Sequence, residues 1–386
     1  MPPISLIQKL MPEATFAEEE KTYLWSYLYF TGIPISNKFT LKSWIYRLWR
    51  YVFPIFLHVV LVCAIIQLIL GYRTGVWNIN IIISCSLVNF LSVGVWHSVY
   101  RKRRYVSELL AKLEEIQSSC VASHLQRMET ITINGVLLVY SVTPTAFSFL
   151  VANSVIEESK DAFWTFSYKP EDILCGKILL FVSVNAYECL QIIFPGLLTC
   201  MYCTLCYKLS KFLVCFKRRS REVIGEASCR LPLKQLVNQY FMILNTVELL
   251  QKIFSEPIFL LILMSSLHMF SMVGYLMPFF KYEFTVVNIV EMVVITMTNT
   301  LSTVAIIIFS SKITANIQKV KQIFHRYKEN MILESHGNGD PVIQLVIDRE
   351  NIELSACNII IFKKSFILSM FGALLTYSLL IFQISN

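Results

Sequence analysis

Long, uninterrupted runs of apolar residues recur along the chain. They cover residues 51–72, 78–96, 130–152, 178–207, 257–280, 286–310 and 366–384. An α-helix rises about 1.5 Å per residue, so about 20 apolar residues cross the hydrocarbon core of a bilayer. The runs lack the strict alternation of apolar and polar positions that marks the strands of a membrane β-barrel. The pattern therefore predicts seven transmembrane helices.

Composition supports this prediction. Hydrophobic residues make up 55% of the chain and charged residues only 16%, and the mean hydropathy is +0.57, well above that of an ordinary soluble domain. The first 20 residues have no long apolar core and soon turn acidic, so we expect no cleaved signal peptide. We expect an all-α, multi-pass protein of the plasma membrane.

The distribution of basic residues predicts the orientation of these helices. Clusters of Lys and Arg lie at residues 101–104, 217–221 and 312–326, whereas one side of the membrane receives only five of the 34 basic residues. Cytosolic segments carry the excess of Lys and Arg, so we expect a cytosolic N-terminus and an extracellular C-terminus. The net charge of +8 then faces anionic membrane lipid rather than nucleic acid.

A G-protein-coupled receptor is the alternative class with seven helices, and it has the opposite orientation. No DRY-like motif follows the third apolar run, and the seventh contains no NPxxY motif. The reversed orientation would also place both Arg-rich clusters outside. This alternative is therefore disfavoured.

Enzyme and metal motifs are weak. The spacing of Cys200, Cys203 and Cys206 allows iron–sulfur ligation, but small polarizable residues inside an apolar helix are also ordinary packing material. Residues 336–341, HGNGDP, resemble part of a phosphate-binding loop, yet no Lys-Ser or Lys-Thr follows them. We expect no catalytic site, no metal and no cofactor, and therefore no enzyme.

Three segments on the predicted cytosolic side are amphipathic: residues 233–254, 312–330 and 341–364. They are too polar to cross a membrane, and their apolar faces need a partner. One interpretation makes them interfacial helices on the inner leaflet. The other, which we favour because three consecutive spans share the feature, makes them inward extensions of the fourth to seventh spans that pack as an anchor domain.

The seventh apolar run has two different faces at about 100° per residue. The small or polar face consists of Ser369, Gly372, Ala373, Thr376, Leu380 and Gln383, and the opposite face includes Phe371, Leu374, Ile381 and Phe382. One interpretation is a close helix–helix contact within one chain. The other is a water-filled pore, with Leu380 as a hydrophobic constriction and Gln383 as a ring of amides, which requires several copies around an axis.

Residues 376–383, TYSLLIFQ, resemble the TYhhhhhQF signature (h, apolar) that ends insect gustatory receptors. The preceding residues 355–375, SACNIIIFKKSFILSMFGALL, are similar to the family's approach to that signature. The resemblance is specific over the C-terminal thirty residues and architectural over the rest of the chain. The final Phe of the signature is Ile384 in this sequence, so the chain lacks an aromatic ring there.

This resemblance implies a ligand-gated, non-selective cation channel that binds a small-molecule tastant. It implies a homo- or hetero-tetramer in which each seventh helix lines one central pore and cations permeate. The pore residues that it transfers to this chain are Thr376, Tyr377, Leu380, Gln383 and Ile384. An odorant receptor of the same superfamily is the alternative, and the intact Thr-Tyr and Gln positions favour the gustatory branch.

The same resemblance implies a ligand pocket in the outer half of the helix bundle. Candidates at that depth are Gln67, Ser148, Tyr187, Glu188, Tyr275, Asn288 and Glu291. A carboxylate within a span is costly unless it meets water, a ligand or a partner, so Glu188 and Glu291 are functional candidates. A hydrogen-bonded structural role remains the alternative for each.

Four regions follow from these predictions. Residues 1–50 form a cytosolic arm, and residues 51–310 form six spans with the ligand-binding bundle. Residues 311–364 form cytosolic anchor helices, and residues 365–386 form the pore-lining seventh helix.

Overall fold

The computed structural model describes residues 24, 31–33, 44–73, 79–119, 126–154, 172–225, 230–276, 286–335, 341–350 and 352–385. Most of the predicted N-terminal arm and the HGNGDP segment lie outside these residues. A short piece of the arm is placed, because the indole Nε1 of Trp96 donates a hydrogen bond to the carbonyl of Thr31 at 3.0 Å.

The helices are numbered in chain order. They are α1 (Trp44–Arg73), α2 (Ile79–Arg101), α3 (Arg103–Ser119), α4 (Gln126–Ser154), α5 (Ile173–Glu188), α6 (Phe194–Gly225), α7 (Arg230–Leu276), α8 (Val286–Ser335), α9 (Pro341–Asp348) and α10 (Lys364–Ser385). A π-helical turn, Cys189–Ile193, joins α5 to α6. Two short strands, β1 (Ser355–Ala356) and β2 (Ile360–Ile361), precede α10.

Within the described part of the chain, six helices are long and apolar enough to cross a membrane. They are Tyr51–Arg73, Ile82–Arg101, Thr130–Asn153, Ile173–Val223, Leu233–Met272 and Met292–Asn330, and α10 adds a shorter apolar helix over Lys364–Leu380. The predicted all-α, multi-pass membrane fold is therefore confirmed.

The fourth span lies at the centre of the bundle. It runs through α5, the π-helical turn and α6, and 89% of its most apolar 18-residue stretch is buried. α7 packs along α2, and α8 packs along α6. The end of α6, the start of α7 and the end of α8 meet around Tyr240. Its ring stacks on Phe216, with centroids 5.5 Å apart, and its centroid lies 6.1 Å from that of Phe324. The long helices thus remain packed together over the amphipathic segments that adjoin the apolar runs.

The segment before the seventh span differs from its predicted helix. It is helical over Pro341–Asp348, but Ser355–Ala356 then pairs with Ile360–Ile361 as an antiparallel hairpin. Cys357 and Asn358 adopt φ angles of 51° and 57°, which a right-handed helix cannot accommodate. The prediction of continuous helix over residues 341–364 is therefore wrong in its second half.

The hairpin is attached to α7 through Gln251 and Ser255, and the Ser255 hydroxyl accepts from the Cys357 backbone N–H at 2.7 Å. Gln251 Nε2 donates to the carbonyl and to the hydroxyl of Ser355, each at 2.8 Å. Its Oε1 accepts from the Ser355 backbone N–H at 3.1 Å. Because the hairpin leads directly into α10, these bonds connect the start of the seventh span to the fifth.

Candidate functional site

The C-terminal helix α10 packs mainly against α7 and α8. The residues of α10 that are buried or half-buried against the same chain are Phe366, Ile367, Met370, Leu374 and Ser378. Near the far end, the ring of Tyr377 meets Phe270 of α7 edge-on, with centroids 4.7 Å apart and planes at 79°. These contacts define a packed face along one side of α10.

The stripe of small and polar residues lies opposite the packed face. Relative to Leu374, a rotation of about 100° per residue puts Gly372, Thr376 and Gln383 roughly 160–200° away. All six residues of the stripe are exposed, and Leu380 is 52% exposed. The part of the chain that the structure describes therefore leaves the stripe largely uncovered, open to water, lipid or another copy.

Local bonding along the stripe keeps its polar groups compatible with a membrane. The Thr376 hydroxyl donates to the Gly372 carbonyl at 2.9 Å, as Ser and Thr commonly do in apolar helices. A methyl group added at Gly372 would meet nothing within 4 Å, so this glycine is not required by packing within the chain. The side chain of Ile384 lies outside the described residues.

A small polar cavity lies inside the bundle, between α4, the π-helical turn, α6, α7 and α8. Its volume is about 10 Å³, close to the space that one buried water needs. Its polar lining consists of Tyr140, Gln191, Thr199, Ser265, Thr298, Asn299 and Ser302. In this conformation the cavity is too small for an organic ligand, since such sites are usually about 300–1,000 Å³.

Hydrogen bonds around the cavity connect pairs of spans. Tyr140 and Ser302 share a bond of 2.6 Å between α4 and α8. Gln191 Nε2 donates to Asn89 Oδ1 on α2 at 2.7 Å. A further bond of 3.2 Å joins Ser265 of α7 to Asn299 of α8. Buried polar networks of this kind hold helices in a defined register when their members are satisfied.

The sequence accounts for the π-helical turn beside this cavity. Pro195 has no backbone N–H, so it cannot bond the carbonyl four residues earlier, that of Gln191. The turn widens instead: the Phe194 N–H donates to the Cys189 carbonyl five residues back. The hydroxyl of Ser92 on α2 donates to the Leu190 carbonyl within the same turn. Such turns often mark functional sites.

Gly196 allows α4 to approach this part of the fourth span. A Cβ atom built on Gly196 would lie 2.2 Å from Cδ1 of Tyr140, so the tyrosine ring packs directly on the glycine backbone. The same ring carries the hydroxyl that bonds Ser302. In the sequence, the signal for this site is the pair Pro195-Gly196 inside an apolar run. That pair was not used in the sequence analysis, and so the site was not predicted.

The described ligand candidates occupy other positions in the bundle. Gln67 is buried and donates to Ser183 at 2.9 Å, joining α1 to α5. Ser148 is buried and donates to the carbonyl of Pro144. Glu188 is 1% exposed and directly precedes the π-helical turn, next to half-buried Tyr187.

These four side chains are not part of the lining of the small cavity. The side chains of the remaining candidates, Tyr275, Asn288 and Glu291, lie outside the described residues. Cys200 and Cys206 are buried in the core of α6, with Cys203 half-buried. In the part of the chain that the structure describes, no three His, Cys, Asp or Glu side chains are grouped as metal ligands.

Comparisons with known proteins agree over nearly the whole chain. A family model described as "7tm Chemosensory receptor" matches residues 22–385. The fold is similar to the olfactory receptor OR5 of the insect Machilis hrabei, with a TM-score of 0.68 and 14% identity, covering 94% of this chain and 97% of that one. The structure of OR5 in complex with eugenol gives a TM-score of 0.73 and 17% identity, with the same coverage. No curated protein has a significantly similar sequence.

Proposed function

This chain belongs to the 7tm chemosensory receptor family, and on that premise we propose that it is a gustatory receptor acting as a ligand-gated, non-selective cation channel. The family is one of receptors rather than enzymes. In this proposal a tastant binds in the outer half of the bundle and opens a central pore lined by α10.

The observation that carries the proposal is the direction of the stripe on α10. The helix packs on its own chain through one face, while Gly372, Thr376, Leu380 and Gln383 are exposed on the other. An exposed Gln383 amide in contact with lipid tails would be costly. Four copies around an axis would turn these residues toward water, with Leu380 as the constriction and Gln383 above it. Thr376 and Ile384 complete the proposed pore segment, and Tyr377 holds it against Phe270 of α7 from the packed face.

The proposed assembly is a homo- or hetero-tetramer in the plasma membrane, with the N-terminus in the cytosol and the C-terminus outside. The charge distribution along the chain supports this orientation. The inner ends of α6, α7 and α8, together with α9 and the hairpin, supply the anchor domain in this proposal.

We propose a small organic molecule as the ligand. The related OR5 structure is a complex with eugenol, which supports this chemical class but not its identity. The seven outer-half candidates, Gln67, Ser148, Tyr187, Glu188, Tyr275, Asn288 and Glu291, are proposed to surround the ligand. Gln67 and Ser183 already join α1 to α5 in this region.

The decisive experiment is whole-cell recording from cells that express the full-length chain, during application of sugars, bitter alkaloids and other plant compounds. We expect a ligand-evoked cation current. Gln383→Ala is expected to change ion selectivity or pore block, because it removes the ring of amide dipoles. Leu380→Ala is expected to increase the current without ligand, because a smaller apolar ring dewets less readily.

The matched controls are on the same helix but off the stripe. Leu375→Ala repeats the leucine truncation at an exposed position about 140° around the helix from Leu380. Ser378→Ala removes a polar group on the packed face. Both controls are expected to conduct like the parent chain. If Gln383→Ala and Leu380→Ala leave selectivity, block and basal current unchanged, the pore assignment is wrong.

An odorant receptor is the second candidate, favoured by the similarity of the fold to an insect olfactory receptor. The two candidates share the channel mechanism and differ in ligand. Activation by volatile compounds in place of soluble tastants would select the odorant function. A response that required a G protein would instead support the G-protein-coupled alternative.

A further inference from the structure

A recess opens where α2 ends, far along the chain from the α10 stripe. Its volume is about 450 Å³, and it is bounded by the last turns of α2, the start of α3 and one residue of α7. We call it the basic recess and define it by His97, Tyr100, Arg101, Arg103 and Glu256. The small polar cavity in the core has space for about one water molecule, whereas the basic recess has room for an organic group.

One carboxylate in the recess holds two basic side chains. Arg101 Nη2 lies 3.0 and 3.1 Å from the two carboxylate oxygens of Glu256, and Lys102 Nζ lies 3.1 Å from Oε2. Lys102 also donates to the Ile253 carbonyl at 3.4 Å. That carbonyl lacks its usual helical donor because the residue four positions later is Pro257. Lys102 is therefore bound to the turn of α7 that precedes Pro257.

Arg101 is available for a second acceptor. Its side chain is 71% exposed, and a single nitrogen makes both contacts with Glu256. A guanidinium carries five N–H donors in a fork that matches two oxygens of a phosphate or carboxylate. The geometry thus leaves part of that fork for a group that enters the recess.

Arg103 supplies the second guanidinium. Its Cζ lies 4.2 Å from the ring centroid of Tyr100, and its Nη1 donates to the Tyr100 carbonyl at 3.1 Å. Stacking on the ring holds the side chain in a defined position, which lowers the entropy lost when it binds an anion. Arg101 and Arg103 thus line a recess that has one carboxylate, Glu256, and that carboxylate is also bound to Lys102. The excess of positive charge favours an anionic occupant.

The recess continues into an apolar face of α2. Ile83, Leu87 and Phe90 are 59%, 44% and 54% exposed, and steps of three and four residues lead along the same face to Arg101. From Phe90 to Arg101 the helix rises roughly 16 Å, about the thickness of one leaflet's hydrocarbon. A phosphate at Arg101 would therefore place its acyl chains along Gly94 and His97, with their ends near Phe90, while Leu87 and Ile83 lie beyond that leaflet.

We propose that the basic recess binds the phosphate-bearing headgroup of an anionic phospholipid. Arg101 and Arg103 contact the phosphate, and the acyl chains cover the exposed face of α2 between Phe90 and Arg101. The assignment of this lipid to the cytosolic leaflet rests on the orientation proposed above. Binding itself does not depend on whether the protein conducts ions.

The proposal gives Glu256 a definite role. Its carboxylate holds one nitrogen of Arg101 and repels a phosphate that approaches the remaining N–H donors of that guanidinium, so the two anions compete for the charge of one cation. Glu256→Gln removes the competing charge, so it is expected to strengthen lipid binding rather than weaken it.

The test uses the purified full-length chain in detergent, titrated with phosphatidylserine, phosphatidylinositol bisphosphate and phosphatidylcholine and followed by native mass spectrometry. Replacing Arg101 and Arg103 together with Gln is expected to weaken binding of an anionic lipid by about tenfold or more. The control replaces the exposed pair Arg218 and Arg219 of α6 with Gln. It has the same charge change and is expected to shift affinity by less than about twofold.

Several results would overturn the proposal. Equal losses in the two double variants would indicate general attraction of anionic lipid to a basic surface. Equal affinity for phosphatidylcholine would remove the need for anionic charge. Equal affinity for the water-soluble glycerophosphoserine or inositol trisphosphate would identify a soluble phosphate as the ligand. Should the recess variant fail to fold, Glu256→Gln decides, and unchanged or weaker binding contradicts the competition described above.

Discussion

At the scale of single residues, Gly196 leaves no room for a larger side chain unless the ring of Tyr140 moves. Gly196→Ala would place a methyl carbon 2.2 Å from a ring carbon, so the ring must move and its bond with Ser302 must lengthen or break. We expect the free energy of unfolding to fall by about 1–3 kcal/mol, the usual cost of overpacking. A thermal unfolding scan in detergent measures it.

Gly135→Ala is the matched control on α4, where an added methyl group meets nothing within 4 Å. Alanine is also the better helix former, so the control is expected to leave the melting temperature unchanged or to raise it. Truncating the ring in the double variant Gly196→Ala with Tyr140→Leu should recover part of the loss. Similar melting temperatures for Gly196→Ala and Gly135→Ala would contradict the packing described here.

At the scale of secondary-structure elements, the hairpin before α10 depends on α7. Gln251→Ala removes all three bonds to Ser355 and leaves the Ser355 backbone N–H without its acceptor on α7, while the Ser355 carbonyl and hydroxyl keep Ser255 and Asn358. We expect the free energy of unfolding to fall by about 1–3 kcal/mol. We expect lower thermal stability and faster amide hydrogen exchange over residues 353–363, measured by mass spectrometry.

Gln239→Ala is the control for this prediction, because it makes the same truncation on the same helix. Gln239 is half-buried, and the one bond of 3.3 Å that it accepts from Arg219 is exposed to solvent, so the variant's loss of stability should be within about 0.5 kcal/mol. Unchanged exchange in the hairpin of the Gln251→Ala protein would show that other contacts hold it.

At the scale of the whole molecule, orientation is open to a direct test. Epitopes placed before Met1 and after Asn386 are expected to differ in intact cells, with only the C-terminal epitope accessible to antibody. Permeabilisation should expose both. The physical reason is the concentration of Lys and Arg in the predicted cytosolic segments. The reverse pattern would support the G-protein-coupled alternative and place Gln383 at the inner surface.

Assembly is the second prediction at this scale. The exposed stripe on α10 requires partner copies, so we expect the purified chain of 44.6 kDa to have a protein mass of about four copies by mass photometry, after subtraction of the detergent. If it is monomeric alone, co-expression with a related receptor subunit should restore a tetramer. A chain that conducts ions as a monomer would contradict the shared pore.

Particular residues show how far sequence reasoning reached. The apolar runs were enough to predict the spans, because length and hydropathy are local properties of the chain. The stripe on α10 was also visible at 100° per residue, since Gly372, Thr376 and Gln383 follow one helix. The hairpin was missed, because the left-handed φ angles of Cys357 and Asn358 are not evident from residue type.

The sequence by itself determined the class of the protein, its apolar helices and the faces of its last helix, because each depends on neighbours within a few turns. Only the tertiary structure decided which face of α10 packs on its own chain, how Tyr140 meets Gly196, and how Arg101 meets Glu256 across 155 residues. Contacts between helices depend on the packing of whole surfaces, and no local period in a sequence specifies which surfaces meet.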